Sequence, residues 1–186
     1  DQFSAILPHI DALYNLYSRL NKRRNERGAI DFDSQETRIL FDGQRKISQI
    51  IPVKRTEAHR LIEECMLAAN VCTAQFLEKA KLPALYRVHE GPSEERLSSV
   101  RDFLGELGIG LGGGDEPQPE DYQRVLRSIS NRDDASVIQS VMLRSMSQAV
   151  YQSENLGHFG LAFDAYTHFT SPIRRYSDLL VHRAIR

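Results

Sequence analysis

Apolar residues recur at helical spacing from the start of the chain. Ile6, Ile10, Leu13, Leu16, Tyr17 and Leu20 predict a helix over residues 3–26, ending in the basic run "NKRRNERG" with Gly28 beyond it. The period then changes. Residues 29–33 and 37–41 alternate, and Asp42-Gly43 is a hairpin signal leading into 45–53. Thr56 opens a long helical pattern to about Ala80, with Glu57 suited to its first turn. Residues 83–91 read as a short strand or extended segment. Residues 93–107 read as a helix opened by Ser93, with Arg96 where a full capping box would carry Glu. Further helices are predicted at about 119–130 and 134–150, and a strand over 158–169. Ser171-Pro172 reads as cap and first position of a last helix entered at Ile173, with Ile173, Tyr176 and Leu180 as its anchoring stripe. The sum is an α+β chain, helix-rich, with one hairpin and a few further strands.

Residues 108–122, "GIGLGGGDEPQPEDY", hold the highest density of breakers. Their glycines invite a phosphate-loop reading. No Lys-Ser/Thr follows and no strand delivers the loop, so the segment is read as a plain connection between helices.

The chain has 186 residues, enough for one domain with a real core, and 41% hydrophobic with 26% charged residues is ordinary for a globular protein. The net charge of -1 gives no global basic field, so any anion site must be local. No apolar run approaches the ~20 residues of a membrane span. The first residues, "DQFSAILPHIDALY", are acidic and amphipathic, unlike a signal peptide. Without an initiator Met, the numbering is expected to start inside a longer protein. Cys65 and Cys72 lie two helical turns apart, roughly 10 Å by helix rise, too far for a disulfide. They are expected as buried, reduced thiols of a cytosolic protein.

Charge placement changes the picture at the end of the chain. "AYTHFTSPIRRYSDLLVHRAIR", residues 165–186, puts Arg174 and Arg175 in the first turn of the expected last helix. Positive side chains there oppose the helix dipole by about a few tenths of a kcal/mol. A phosphate bound at the helix start and bridged by a guanidinium fork would resolve the conflict. The plainer alternative is a solvated face, because Asp178 follows Arg174 by four residues and Arg175 by three. Tyr166, His168 and Thr170 alternate on the incoming segment and add polar groups at the same end.

"HFGLAFDAYTHFTSPIRRYSDLLVHR" closely resembles the signature of the ribonuclease II/ribonuclease R family, the RNB catalytic domain. "RGAIDFDSQET", "HRLIEECMLAANV", "PALYRVHEGPSEERL", "LGGGDEPQPEDY" and "RSMSQAVY" extend the resemblance over essentially the whole chain in the same order. The resemblance implies that residues 1–186 are a single partial domain, the later portion of an RNB domain. It implies a bacterial cytoplasmic enzyme that degrades single-stranded RNA from the 3′ end, hydrolytically and processively, to nucleoside 5′-monophosphates. Mg²⁺ or Mn²⁺ would be held by aspartates, and cold-shock and S1 domains would flank the catalytic domain.

Position by position, the resemblance gives Arg174 the grip on the scissile-end phosphate and on charge in the transition state. Arg175 becomes a second phosphate contact. Phe32 becomes the aromatic that clamps the terminal base. Glu63, with Glu64 as second choice, becomes the contact to the 3′-terminal ribose. Ser171, Thr170, Tyr166 and His168 complete the expected RNA contacts. The family's metal motif, of the form D-x-x-x-x-x-D-x-D-D, is not in this sequence. Asp31-Phe32-Asp33 is the nearest run, and Asp133-Asp134 stands at a helix start. The metal ligands are therefore expected outside this chain, and the chain alone is expected to have little or no nuclease activity. A non-catalytic RNB-like module that binds RNA or a protein partner is the alternative.

Overall fold

The computed structural model describes residues 3–32, 36–53 and 55–186. Helices α1 (Leu7–Glu26) and α2 (Glu57–Lys79) lie together, with the Tyr14 hydroxyl donating to Glu57 at 3.3 Å. His59 Nδ1 accepts the Thr56 amide at 3.2 Å and so closes the start of α2, the role a Glu usually takes. Helix α1 forms as its period predicts, but its stripe is not covered. Ile6, Ile10, Leu13 and Leu16 remain 44–49% exposed, and only Tyr17 and Arg24 are buried.

The main core lies between α3 (Glu94–Glu106), α4 (Pro119–Ser128) and α5 (Ala135–Ser145). Leu97, Val100 and Leu104 meet Tyr122, Val125 and Leu126, with Ile138, Met142 and Ile30 completing the cluster. Gly28, at φ +79°, brings the end of α1 so close to Glu120 that a Cβ would overlap that side chain. Only glycine serves both the backbone angle and the approach. The glycine-rich segment is indeed a connection: the Gly112 and Gly114 carbonyls accept from the Arg101 guanidinium.

Strands β1 (Glu36–Phe41) and β2 (Ile47–Val53) form the expected antiparallel hairpin. Asp42 Oδ1 holds the turn by accepting the amides of Gln44 and Lys46 at 2.8 and 2.9 Å. Ile39 opposes Ile50 and Phe41 opposes Ile47, and these four side chains are 45–62% exposed. The alternation over 29–33 ends at Asp33, outside the described residues; Ala29 and Ile30 are buried without forming a strand.

A second, smaller core joins α2 to the rest. Strands β3 (Tyr86–Val88) and β4 (Val150–Gln152) pair antiparallel, and the Arg87 amide donates to the Tyr166 carbonyl at 2.8 Å. Ala74 of α2 packs there with Tyr86, Val88 and Ala165.

The structure corrects the sequence reading in several places. Helix α5 stops at Ser145 rather than 150, because Met146 turns extended (φ -69°, ψ 151°) and the chain leaves to form β4. Residues 158–169 are not a strand. A 3₁₀ turn at Phe159–Leu161 sits between left-handed residues, Gly157 at φ 75° and Ala162 at φ 52°. The last helix, α6 (Tyr176–Ile185), begins three residues later than expected. Ile173 is fully exposed and Tyr176 is 66% exposed, so Val181, not these residues, anchors it. Both cysteines are free thiols as expected, but Cys65 is half-buried and Cys72 exposed. No helix among the described residues is long and apolar enough to cross a membrane.

Candidate active site

The segment from Tyr166 to Asp178 is held from both sides, and Arg174 stands free between the holds. Asn70, on α2 and 3% exposed, makes the first hold. Its Nδ2 donates to the Tyr166 hydroxyl at 2.9 Å, and its Oδ1 accepts the amides of Phe169 at 3.0 Å and Thr170 at 3.3 Å. Asp178, in the first turn of α6 and fully buried, makes the second. It accepts the Ser171 amide at 2.8 Å and a two-point contact from the Arg175 guanidinium, both arms at 2.8 Å. Burial pushes the Asp178 carboxyl up. The Arg175 and Ser171 hydrogen bonds outweigh that and hold it below the ordinary carboxylate value.

Ser171 therefore does not cap α6. Its carbonyl instead accepts the amides of Arg174 and Arg175 at 3.3 and 3.1 Å, closing a single turn that displays Arg174. The Arg174 side chain is exposed and has no hydrogen-bond or ion-pair partner among the described residues. The two adjacent arginines thus differ in kind: Arg175 is neutralised within the fold, and Arg174 is available.

The other expected contacts on this segment are mostly committed internally. Tyr166 is buried with its hydroxyl on Asn70, and the Thr170 hydroxyl is buried without a partner in the described residues. His168, half-buried, meets the Tyr151 hydroxyl through Nδ1 at 2.6 Å. Burial, with the nearby charges of Arg175, Arg87 and Arg174, pulls its pKa down to about 4.

A second group lies where α1 ends and α2 begins. Arg24, 8% exposed, reaches Glu64 at 2.7 Å, Asp31 at 3.3 Å and Glu63 at 3.4 Å. Arg55 adds contacts to Glu63 and Asp31. Glu64 is 6% exposed and its carboxylate is bound to Arg24. Glu63 keeps about a third of its side-chain surface exposed. Asp31, Glu63 and Glu64 against Arg24 and Arg55 leave one formal negative charge. This end suits hydroxyls, whereas the Arg174 end suits phosphate.

Helix α2 connects the two groups. Glu63 and Asn70 lie seven residues apart on one face, about 10 Å along the axis. Phe32 is half-buried against the main core and lines a cavity of about 520 Å³ with Ile30, Arg96, Arg144, His158 and others. None of the other expected contact residues lines that cavity. His158 is held neutral there: burial, and the neighbouring His89, lower its pKa to about 3.

Sequence reasoning missed Arg24 and Asn70 as residues that set this geometry. The Arg–Asp pairing it offered as the plainer alternative forms between Arg175 and Asp178, at the three-residue spacing. Arg24 sits in a basic run that resembles a solvated face, and its contacts at positions 31, 63 and 64 are set only by the fold. Asn70 likewise bonds a segment about a hundred residues away.

No group of three or more His, Cys, Asp or Glu side chains able to hold a metal ion occurs among the described residues. The acidic cluster comes nearest, but Arg24 and Arg55 already offset two of its three negative charges. The described residues do not fit a Mg²⁺ or Mn²⁺ site.

A two-ended site of this kind, with an acidic end on α2 and a free arginine on an anchored loop, sits on a fold that known proteins share. Residues 3–186 match the RNB domain, and the chain belongs to that family. Within it, the similarity is to ribonuclease R. The chain is 56% identical over its whole length to the ribonuclease R of Vibrio cholerae and 51% identical to that of Escherichia coli, spanning 23% of either protein. The solved structure of Mycoplasma genitalium RNase R in complex with ribose methylated single-stranded RNA superposes with a TM-score of 0.92 at 31% identity. That match covers 97% of this chain and 28% of the other. The chain thus spans about a quarter of the length of the proteins it matches.

Proposed function

We propose that this chain is part of a bacterial, cytoplasmic exoribonuclease of the ribonuclease R type, which hydrolyses single-stranded RNA from the 3′ end to nucleoside 5′-monophosphates. The observation that carries the reading is the free guanidinium of Arg174 on a loop fixed at both ends. A guanidinium binds phosphate oxygens in pairs and remains charged at any working pH. Fixed in place, it stabilises charge that grows on the phosphate during hydrolysis without reorganising.

Glu63 supplies an acceptor for the terminal ribose hydroxyl, a group that separates RNA from DNA. Arg24 and Arg55 leave its carboxylate spare lone pairs for that bond. Phe32 offers a ring for the terminal base, and stacking of this kind is worth about 1–3 kcal/mol per base. The divalent metal that activates the attacking water belongs, in this proposal, to the portion of a full-length enzyme that the chain does not span, together with the cold-shock and S1 domains.

The test is direct. The 186-residue chain, incubated with single-stranded RNA and Mg²⁺ or Mn²⁺, is expected to release no nucleotides, whereas the full-length protein that contains it releases nucleoside 5′-monophosphates from the 3′ end. Release by the chain alone, or 5′-to-3′ degradation by the full-length protein, overturns the reading.

A further inference from the structure

We infer that Asn70 is a positioning residue for Arg174, a role that rests on the proposed phosphate contact of Arg174. Asn70 is a carboxamide buried to 3% in the middle of a helix, a costly place for a polar side chain without a dedicated use. Its contacts do not stabilise α2 itself. All three go to one distant segment, at Tyr166, Phe169 and Thr170. That segment runs four residues from Thr170 to Arg174, with the Ser171 turn between them.

The amide acts in two directions at once. Oδ1 gathers two consecutive backbone N–H groups, which fixes the direction in which the chain leaves Phe169. Nδ2 binds the Tyr166 hydroxyl and so locks the amide plane. Asp178 fixes the other end of the turn through Ser171 and Arg175. His182 of α6 also holds Phe169, meeting its carbonyl through Nε2 at 3.0 Å with the two rings stacked, so without Asn70 the turn stays on α6 but the two can shift together relative to α2. Asn70 removes that freedom. It also ties the turn to the helix that carries Glu63, so the distance between the phosphate end and the ribose end is set by one rigid element. Misplacement of a reacting group by about 1 Å can cost on the order of a hundredfold in rate.

The test uses the full-length enzyme containing this chain, with unstructured RNA as substrate. Asn70→Ala is expected to lower kcat at least tenfold while KM changes less than threefold. Asn70→Asp keeps acceptors for both amides, and the Tyr166 hydroxyl can turn to donate to it; more than a third of the rate is expected to return. The double variant Asn70→Ala/Arg174→Ala is expected to be no slower than Arg174→Ala, because Asn70 acts only through Arg174. Should Asn70→Ala not fold, Asn70→Gln keeps the amide but displaces it by one methylene, and the same kcat-only loss is expected. Multiplying losses in the double variant, a KM rise that matches the kcat loss, or an Asn70→Asp enzyme as slow as Asn70→Ala overturns the inference. An Arg174→Ala enzyme with wild-type kcat instead overturns the phosphate role of Arg174.

Discussion

Arg175 and Asp178 form a two-point ion pair, with both guanidinium arms at 2.8 Å from a fully buried carboxylate. This pair commits one of two adjacent arginines to the fold and leaves the other exposed. Removing one member of such a buried pair strands the other, at about 3–5 kcal/mol. Asp178→Ala is therefore expected to lower folding stability by about that amount. Urea unfolding followed by circular dichroism measures it, and a loss below about 1 kcal/mol would contradict the structural role.

Arg174 predicts the opposite profile. Its side chain is exposed and makes no hydrogen bond or ion pair among the described residues, so Arg174→Ala is expected to change stability by no more than about 0.5 kcal/mol. In the full-length enzyme, turnover is expected to fall by about 10²–10³, the usual cost of losing one donor to a transition-state anion. RNA affinity, measured separately by fluorescence anisotropy, is expected to move little. Equal losses in affinity and turnover would show that Arg174 binds ground state and transition state alike.

The two adjacent glutamates in the second turn of α2 separate in the same way. Glu64→Ala leaves Arg24 buried without its closest partner and is expected to destabilise by about 2–4 kcal/mol. Glu63→Ala is expected to leave melting within a few degrees of wild type. It should narrow the preference of the full-length enzyme for a 3′-terminal ribose over a deoxyribose. Competition between RNA ends that differ only in that sugar gives the readout.

Acid should weaken the fold through its neutral histidines. His158 and His168 have pKa values lowered from 6.5 to about 3 and about 4, in both cases chiefly by burial. Below pH 6.5 the unfolded chain takes up protons that the folded chain refuses, so stability is present above that pH and falls as pH drops toward 4. Asp178, held below its ordinary value, adds to the loss at lower pH still. His158→Asn keeps an acceptor for the Leu161 amide and is expected to flatten the fall in melting temperature between pH 6.5 and 4. An unchanged slope would show that His158 does not couple folding to pH.

Much of the fold is legible in the sequence because local signals and tertiary packing agree. Thr56 and the apolar period place α2 to within a residue, and Asp42 announces the hairpin turn. The misreadings occur where the backbone departs from what a local signal announces. Ser171-Pro172 has the look of a helix start, yet it closes only one turn before Arg175 goes extended (φ -127°, ψ 120°), and α6 waits until Tyr176. Residues 158–169 alternate like a strand, but Gly157 and Ala162 turn the backbone left-handed and break it. The site residues on the C-terminal motif were visible as a motif. Which of them face outward was not, because that depends on Asn70, about a hundred residues earlier.

The hairpin of β1 and β2 carries a practical consequence. One face is an apolar ladder of Ile39, Ile50, Phe41 and Ile47, and this two-stranded sheet pairs with no other strand among the described residues. Such a face invites apolar association between molecules, and the unpaired edges beside it invite strand addition. In solution the 186-residue chain should behave as a sticky protein, with light-scattering radius growing with concentration. Lysines at Phe41 and Ile50 should suppress that growth while leaving the helical core, and its melting, untouched.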